Sequence, residues 1–343
     1  MSGSNLKNIN RIFYGLLIIM MISSFLYLFM SRESVKVLAP PVLKKTKDGI
    51  SIPYEMKSEL HLVVLGVAQD AGYPQADCKK SCCKAVWQNK SKRKMVSCLG
   101  VRDPSTQKVY LFDATPDLKD QMQLLKYASS SEYSLAGMFL THAHMGHYTG
   151  LLHLGRESVN ADKVPTYTMP RMSQFLSNNG PWDNLVKFNN IELNPLTPNE
   201  PIQLSEQLAV TALEVPHRDE YSETVGFVIQ GPNKKVLFIP DIDKWTKWSV
   251  NINELIAEVD YAFLDGTFYR NGEIWGRDMS EIPHPFISES MERFKDLPAS
   301  EKKKIHFIHL NHTNPLLDIN SEEYQDFSKS DFRLAREGQV IIL

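Results

Sequence analysis

The chain has 343 residues, 43% of them hydrophobic, with 38 Lys and Arg against 40 Asp and Glu and a formal net charge of −2. That is enough apolar material for one large domain or two small ones. The even balance lacks the basic footprint that nucleic-acid recognition requires, so no nucleic-acid partner is expected.

The first predicted element is a membrane span. Ile12 to Met30, IFYGLLIIMMISSFLYLFM, is 19 residues without a charge. At about 1.5 Å per residue it reaches roughly 28 Å, close to a bilayer core of about 30 Å. No small-x-small cleavage site follows, and the apolar run is longer than the core of most cleaved signal peptides. The expectation is one N-terminal transmembrane signal anchor over 12–30, preceded by a short head over 1–11. Two basic residues precede the span and five lie between Arg32 and Lys47, so charge does not favour a head-inside topology. Short N-terminal anchors usually act as export signals, and the globular part is expected on the exported side of a single-pass protein. The polar stretch 31–58, with Pro40, Pro41 and Pro53, reads as a juxtamembrane linker. The globular domain is expected over 59–343.

Within it, short apolar runs of strand type alternate with helical patterns. LHLVVLGVAQ, KVYLFDAT, LAGMFLTHAH and QLAVTALEVPH read as strands. TVGFVIQG and KKVLFIPDID read as a hairpin, and VDYAFLDGT and KIHFIHLNHTN close the series. PDLKDQMQLLKYA and EYQDFSKSDFRLARE carry helical patterns. His142, His217, Asp241, Asp265 and His309 each stand at or just past the end of a strand. Ligand sites form at strand ends in sheets flanked by helices, so the repeated placement predicts a mixed α/β domain with its site along one sheet edge.

FLTHAHMGHYTG sets His142, His144 and His147 within six positions. In an extended segment the first two point the same way, and Gly146 permits a turn that swings His147 back toward them. Imidazoles so grouped suit Zn²⁺, Fe²⁺ or Mn²⁺. His61, His153 and His306 lie inside apolar patterns and read as structural.

THAHMGH resembles the H-x-H-x-D-H signature of the metallo-β-lactamase fold superfamily. That resemblance implies a four-layer αβ/βα sandwich with two metal positions. His142, His144 and His217 would hold the first, His147 and His309 would help hold the second, and Asp241 would bridge both and act catalytically. VVLGVAQDAGYPQADC, LFDATPDL, TGLLHLGRE, LDGTFYRNGE, GRDM and IHLNHTNPLLD are similar to the coenzyme PQQ synthesis protein B family, a branch of the same fold. Typical members of that branch have lost most of the histidine signature, which this chain keeps. Gly146 stands where the signature has aspartate, which implies a weaker second position unless Asp70 or His312 completes it. Asp70 otherwise reads as a loop cap and His312 as a donor behind the ligands. Asp265 reads as a structural aspartate near the metals, with direct ligation as the alternative. His284 either lines the pocket or lies on a surface loop.

Cys78, Cys82 and Cys83 fall in DCKKSCC, and Cys98 stands alone. The PQQ branch has a cysteine-rich knuckle here that holds a structural zinc. The spacing C-x₃-C-C departs from that pattern, so a separate structural zinc with an unnamed fourth ligand and a disulfide both stay open.

The resulting expectation is a membrane-anchored hydrolase of a small-molecule phosphodiester, lactone, thioester or amide, with one or two divalent ions, zinc first and iron or manganese as alternatives. The PQQ resemblance supports a rival, iron-dependent oxidation. A third reading is a non-catalytic metal or ligand sensor at the membrane.

Overall fold

The computed structural model describes residues 44–46, 49–51, 58–126 and 133–343. The expected head and membrane span, 1–30, lie outside the described residues. Among the described residues no helix is long and apolar enough to cross a membrane.

Two short strands, β1 (Lys44–Thr46) and β2 (Gly49–Ser51), pair antiparallel within the stretch expected as linker. The rest builds two seven-stranded sheets. The first contains β3 (His61–Gly66), β4 (Cys98–Asp103), β5 (Lys108–Phe112), β6 (Ser134–Phe139), β7 (Val164–Thr168) and β8 (Ile191–Pro195). The second contains β9 (Pro201–Ser205), β10 (Leu208–Glu214), β11 (Val225–Gln230), β12 (Lys235–Ile239), β13 (Tyr261–Asp265), β14 (Ile305–Ile308) and β15 (Arg333–Leu334). The C-terminal strand β16 (Val340–Ile342) returns to pair with β3 in the first sheet. β11 and β12 form the expected antiparallel hairpin.

The two sheets share a plan. In the order β16-β3-β4-β5-β6-β7-β8 the first three pairings are antiparallel and the last three parallel. In the order β9-β10-β11-β12-β13-β14-β15 the same holds. Parallel strands need crossovers, and these supply the helices α1 (Ser81–Gln88), α2 (Leu118–Lys126), α3 (Met145–Tyr148), α4 (Pro170–Asn178), α5 (Trp182–Lys187), α6 (Ile252–Glu258), α7 (Ile287–Arg293), α8 (Ala299–Lys302) and α9 (Glu322–Phe327).

Side chains that alternate along each strand sort into layers. Leu62 and Val64 of β3 face a central core shared with Phe227, Phe238 and Phe263 of the opposite sheet. Val63 and Leu65 face outward onto Leu118 and Leu125 of α2 and Met172 and Leu176 of α4. In the second sheet, Leu237 and Ile239 face Ile252 and Ile256 of α6 and Phe294 beyond α7. Helices, sheet, sheet and helices therefore stack as the expected four layers. EYQDFSKSDFRLARE departs from expectation. Its helix stops at Phe327, and Arg333–Leu334 joins the sheet edge beside β14. The Ser- and Asp-rich break at 328–331 turns the chain, and both Phe327 and Phe332 pack on Phe307.

A candidate two-metal centre at the parallel strand ends

Every histidine of the signature segment, with Asp241, Asp265 and His309, lies past or at the end of a strand in the parallel halves of the two sheets. Asp113 and His309 are the first residues beyond β5 and β14, and both take left-handed backbone, with φ of 74° and 65°. Such torsions are costly for non-glycine residues and persist where the surroundings enforce them. The sheets are stitched together at this edge: Val225 N–H donates to Thr141 O, and Gln69 N–H to Leu310 O, at 3.0 and 2.9 Å.

The ligand atoms fall into two sets. In the first, His142 Nε2 lies 2.8 Å from His144 Nδ1, which lies 3.3 Å from His217 Nε2. Asp241 closes the set, Oδ2 at 3.4 Å from His142 Nε2 and Oδ1 at 3.3 Å from His217 Nε2. In the second, Asp70 Oδ1 lies 3.0 Å from His147 Nε2 and 3.4 Å from His309 Nε2, and Asp241 Oδ2 lies 3.9 Å from His147 Nε2. Donors at about 2.0–2.1 Å from one tetrahedral ion stand roughly 3.3 Å apart. Asp70 Oδ1, His147 Nε2 and His309 Nε2 are buried and have no hydrogen-bond partner. Each such group costs about 1–3 kcal/mol unless something satisfies it. Three converging on one place mark a cation site, and the donor set fits Zn²⁺, Mn²⁺ or Fe²⁺.

Asp70 changes the expectation drawn from Gly146. It is not merely a loop cap; it supplies a carboxylate to the second set. A Cβ on residue 146 would run into Cα, Cβ and Oδ1 of Asp70. Asp70, in the loop after β3, lies where a side chain at 146 would stand, and glycine at 146 leaves the room it occupies. Of the two residues expected as possible completers of the second position, Asp70 is the one that stands there, with His147, His309 and Asp241.

Partners behind the ligands fix their orientation. His142 Nδ1 meets Thr141 Oγ1 at 3.0 Å, and His309 Nδ1 meets Thr267 Oγ1 at 2.9 Å. His144 Nε2 and His147 Nδ1 face carboxylates of Glu220 and Asp113 at 3.2 and 2.7 Å, while His217 Nδ1 lies 3.4 Å from Asp243 without a hydrogen bond between them. Carboxylate–imidazole pairs of this kind fix the tautomer and raise ligand basicity. Asp113 directly follows the strand run KVYLF, while Glu220 and Asp243 carry no local signal.

Asp265 is buried beside Asp241 and His284, and the three form a further group of possible ligand atoms. Asp265 Oδ1 accepts from Thr267 N and Oγ1, and its Oδ2 from Ile242 N and His284 Nδ1. His284 is buried rather than on a surface loop, with Nδ1 2.8 Å from Asp265 Oδ2 and 3.0 Å from Asp241 Oδ1.

Protonation follows this crowding. Burial pushes the His142 pKa well down, and His147 adds to it. Burial also pulls down on His147 and His284, but Asp113 and Asp70 raise the first well above the usual range, and Asp265 and Asp241 the second. Asp70 and Asp241 sit well below the ordinary carboxylate range because neighbouring imidazoles outweigh their burial.

His312 belongs elsewhere. It does not join His309; its Nδ1 lies 3.6 and 3.4 Å from Sγ of Cys82 and Cys83, with Cys78 Sγ 3.9 Å from Cys82 Sγ. These four atoms form a second candidate site, with the S₃N donor set of structural zinc. All four cysteines are free, and Cys98 is buried in β4, apart from this cluster. Without an ion, burial pushes the Cys83 thiol up to about 12 and raises that of Cys82. A bound cation reverses that by deprotonating the ligating thiols. Cys83→Ser is expected to remove one zinc per chain while leaving the ions at the strand ends, and to lower Tm by about 5–10 °C. Elemental analysis and calorimetry check it.

His61 and His306 turn their Nδ1 to carbonyls of Glu59 and Lys304, and His153 lies on a 3₁₀ turn. None joins a ligand group among the described residues.

Residues 108–307 match a family described as a beta-lactamase superfamily domain. Coenzyme PQQ synthesis protein B of Methylorubrum extorquens (strain PA1) is 25% identical over 315 residues, spanning 83% of this chain and 100% of that protein. The same-named protein of Xanthomonas campestris pv. campestris (strain B100) is 24% identical over 312 residues, spanning 83% and 100%. Among solved structures, Zn²⁺-bound PqqB from Methylobacterium extorquens superposes with a TM-score of 0.69 at 23% identity, covering 82% of this chain and 100% of that one. A diphosphatase from the PhnP family gives 0.57 at 20% identity, covering 82% and 96%.

Proposed function

This chain belongs to the beta-lactamase superfamily, and from that premise we propose that it is a metal-dependent hydrolase of a phosphodiester or acyl substrate, with two divalent ions at the parallel strand ends. The observation that carries the reading is the pair of adjoining nitrogen-and-oxygen ligand sets that share Asp241. When bound, the ions lower the pKa of water toward about 7 and polarise the scissile group. Asp241 is held ionised by the neighbouring imidazoles and is buried between the two sets, where it would orient a nucleophilic water. His284 holds a proton at Nδ1 between Asp265 and Asp241, which keeps the Asp241 carboxylate in place and offsets its charge. Glu220 and Asp113 hold the imidazoles of His144 and His147. A diphosphatase shares the fold, which keeps phosphoesters in the class, but fold does not choose among these substrates. We place the domain on the exported side of a membrane, tethered by 12–30.

Purified protein loaded with Zn²⁺ or Mn²⁺ is expected to hydrolyse bis(4-nitrophenyl) phosphate or an aryl lactone, and to stop when the ions are chelated. The likeness to coenzyme PQQ synthesis protein B supports a second reading, oxidation with Fe²⁺, which the same ligand set suits. Oxygen uptake by the iron-loaded protein, with no hydrolysis across the panel, would decide for it.

A further inference from the structure

The loop Asp70–Pro74 is a partition. On one side Asp70 reaches the second ligand set. On the other, the loop walls a cavity of about 720 Å³ whose lining runs from Asp70 and Met145 to Trp87, Lys90 and Arg93. That volume lies in the range of small-molecule sites, and Asp70 is common to both places. A ligand filling the cavity therefore lies one side chain away from the second metal position.

The chemistry of the lining is uneven. Trp87 is 46% exposed, and the Arg93 guanidinium lies 5.9 Å from its ring centroid. The indole is fixed in place: its Nε1 donates to Cys78 O at 3.0 Å, and Tyr73 on the facing loop donates through its hydroxyl to Cys82 O at 2.8 Å. The cysteine cluster thus holds both aromatic walls. Of the lining carboxylates, Asp117 accepts from Val96 N and Glu337 pairs with Lys94. Asp120 stands on α2. Lys90 and Arg93 line the cavity with Trp87 and form no direct ion pair among the described residues, the charge of Arg93 reaching Asp117 only at longer range.

We infer that this cavity is the recognition subsite of the substrate and takes an aromatic or heteroaromatic ring bearing an anionic group, the ring against Trp87 and the anion toward Lys90 and Arg93. A fixed aromatic face beside a guanidinium gives ring stacking and anion pairing together. The inference deepens the hydrolase reading by naming the non-reacting half of its substrate, and rests on that reading for the cavity's connection to the reaction.

The test is equilibrium binding by calorimetry, with zinc-loaded full-length protein in detergent and no turnover read. Adenosine monophosphate and 1-naphthyl phosphate supply ring and anion, ribose 5-phosphate the anion alone and adenosine the ring alone. At least one ring-bearing phosphate is expected to bind about tenfold or more tightly than ribose 5-phosphate. Trp87→Ala should abolish that advantage and Trp87→Phe should retain most of it. Lys90→Ala with Arg93→Ala should weaken the ring-bearing phosphates and leave adenosine unchanged. If neither ring-bearing phosphate outbinds ribose 5-phosphate, or if Trp87→Ala leaves their binding intact, the assignment fails. Because no turnover enters, a protein that binds through Trp87 but hydrolyses nothing refutes the hydrolase reading alone. An active hydrolase indifferent to Trp87 refutes this one alone.

Discussion

Asp70→Ala is expected, on the two-ion hydrolase reading proposed above, to cost one active-site ion and at least a hundredfold in hydrolysis, with the fold intact. The side chain is the one carboxylate the second position has to itself, lying 3.0 and 3.4 Å from His147 and His309. Its loss removes both a bond and a charge that offsets the cation. An ion at such a centre supplies several kcal/mol of transition-state stabilisation, and about 1.4 kcal/mol is a factor of ten in rate. Gly146→Ala is expected to give the same result by another route. The added Cβ runs into Cα of Asp70, so the loop must retreat and take its carboxylate with it. Gly146→Asp, which would restore the superfamily signature on paper, should fail likewise, because two carboxylates then compete for one space. Metal content by elemental analysis, counted in a Cys83→Ser background to remove the cysteine-bound zinc, reads all three. Two tight ions in Gly146→Ala would show that Asp70 does not need the room glycine leaves at 146.

Asp241→Asn should be the more damaging change, reducing active-site metal to below one ion per chain and activity to background. The substitution keeps the shape and removes the charge that both ligand sets share. It also leaves the raised imidazolium of His284 beside a neutral amide, with Asp265 as its remaining carboxylate. Burial without charge compensation is expensive, so the variant should unfold at lower temperature as well, and adding Zn²⁺ should no longer raise Tm. His153→Ala, at a residue that joins none of the ligand groups, should leave metal content, activity and the zinc-dependent rise in Tm unchanged. A zinc-stabilised Asp241→Asn protein would show that the two positions do not depend on this residue.

Much of this centre is visible in the chain before folding. The strand runs are apolar and end in His or Asp, and the buried edge those ends share follows from the parallel order of the strands. What the chain hides is who meets whom across long separations. Asp70 and Gly146 are 76 positions apart, and nothing local to either says that one fills the space the other leaves. His309 and His312 are three apart and look like partners. The left-handed turn at His309 and the Asn311–Asn314 turn send the first to the strand ends and the second to the cysteines. Cys78, Cys82 and Cys83 withheld their fourth ligand for the same reason: it arrives from 229 positions further on. The second helix pattern failed for a different cause, since a few Ser and Asp residues outweighed the periodicity around them.

The loop that separates the metal centre from the neighbouring cavity has its own thermodynamic consequence. A ligand residue mounted on α3 beside His147 would answer only to the metal. Mounted on the Asp70–Pro74 loop, it answers to both compartments, since any occupant that shifts the loop changes how well the carboxylate reaches the ion. Linkage makes the effect reciprocal: the factor by which an occupant alters ion affinity is the factor by which the ion alters occupant affinity. An acid carried on that loop would thus make two neighbouring equilibria a coupled pair.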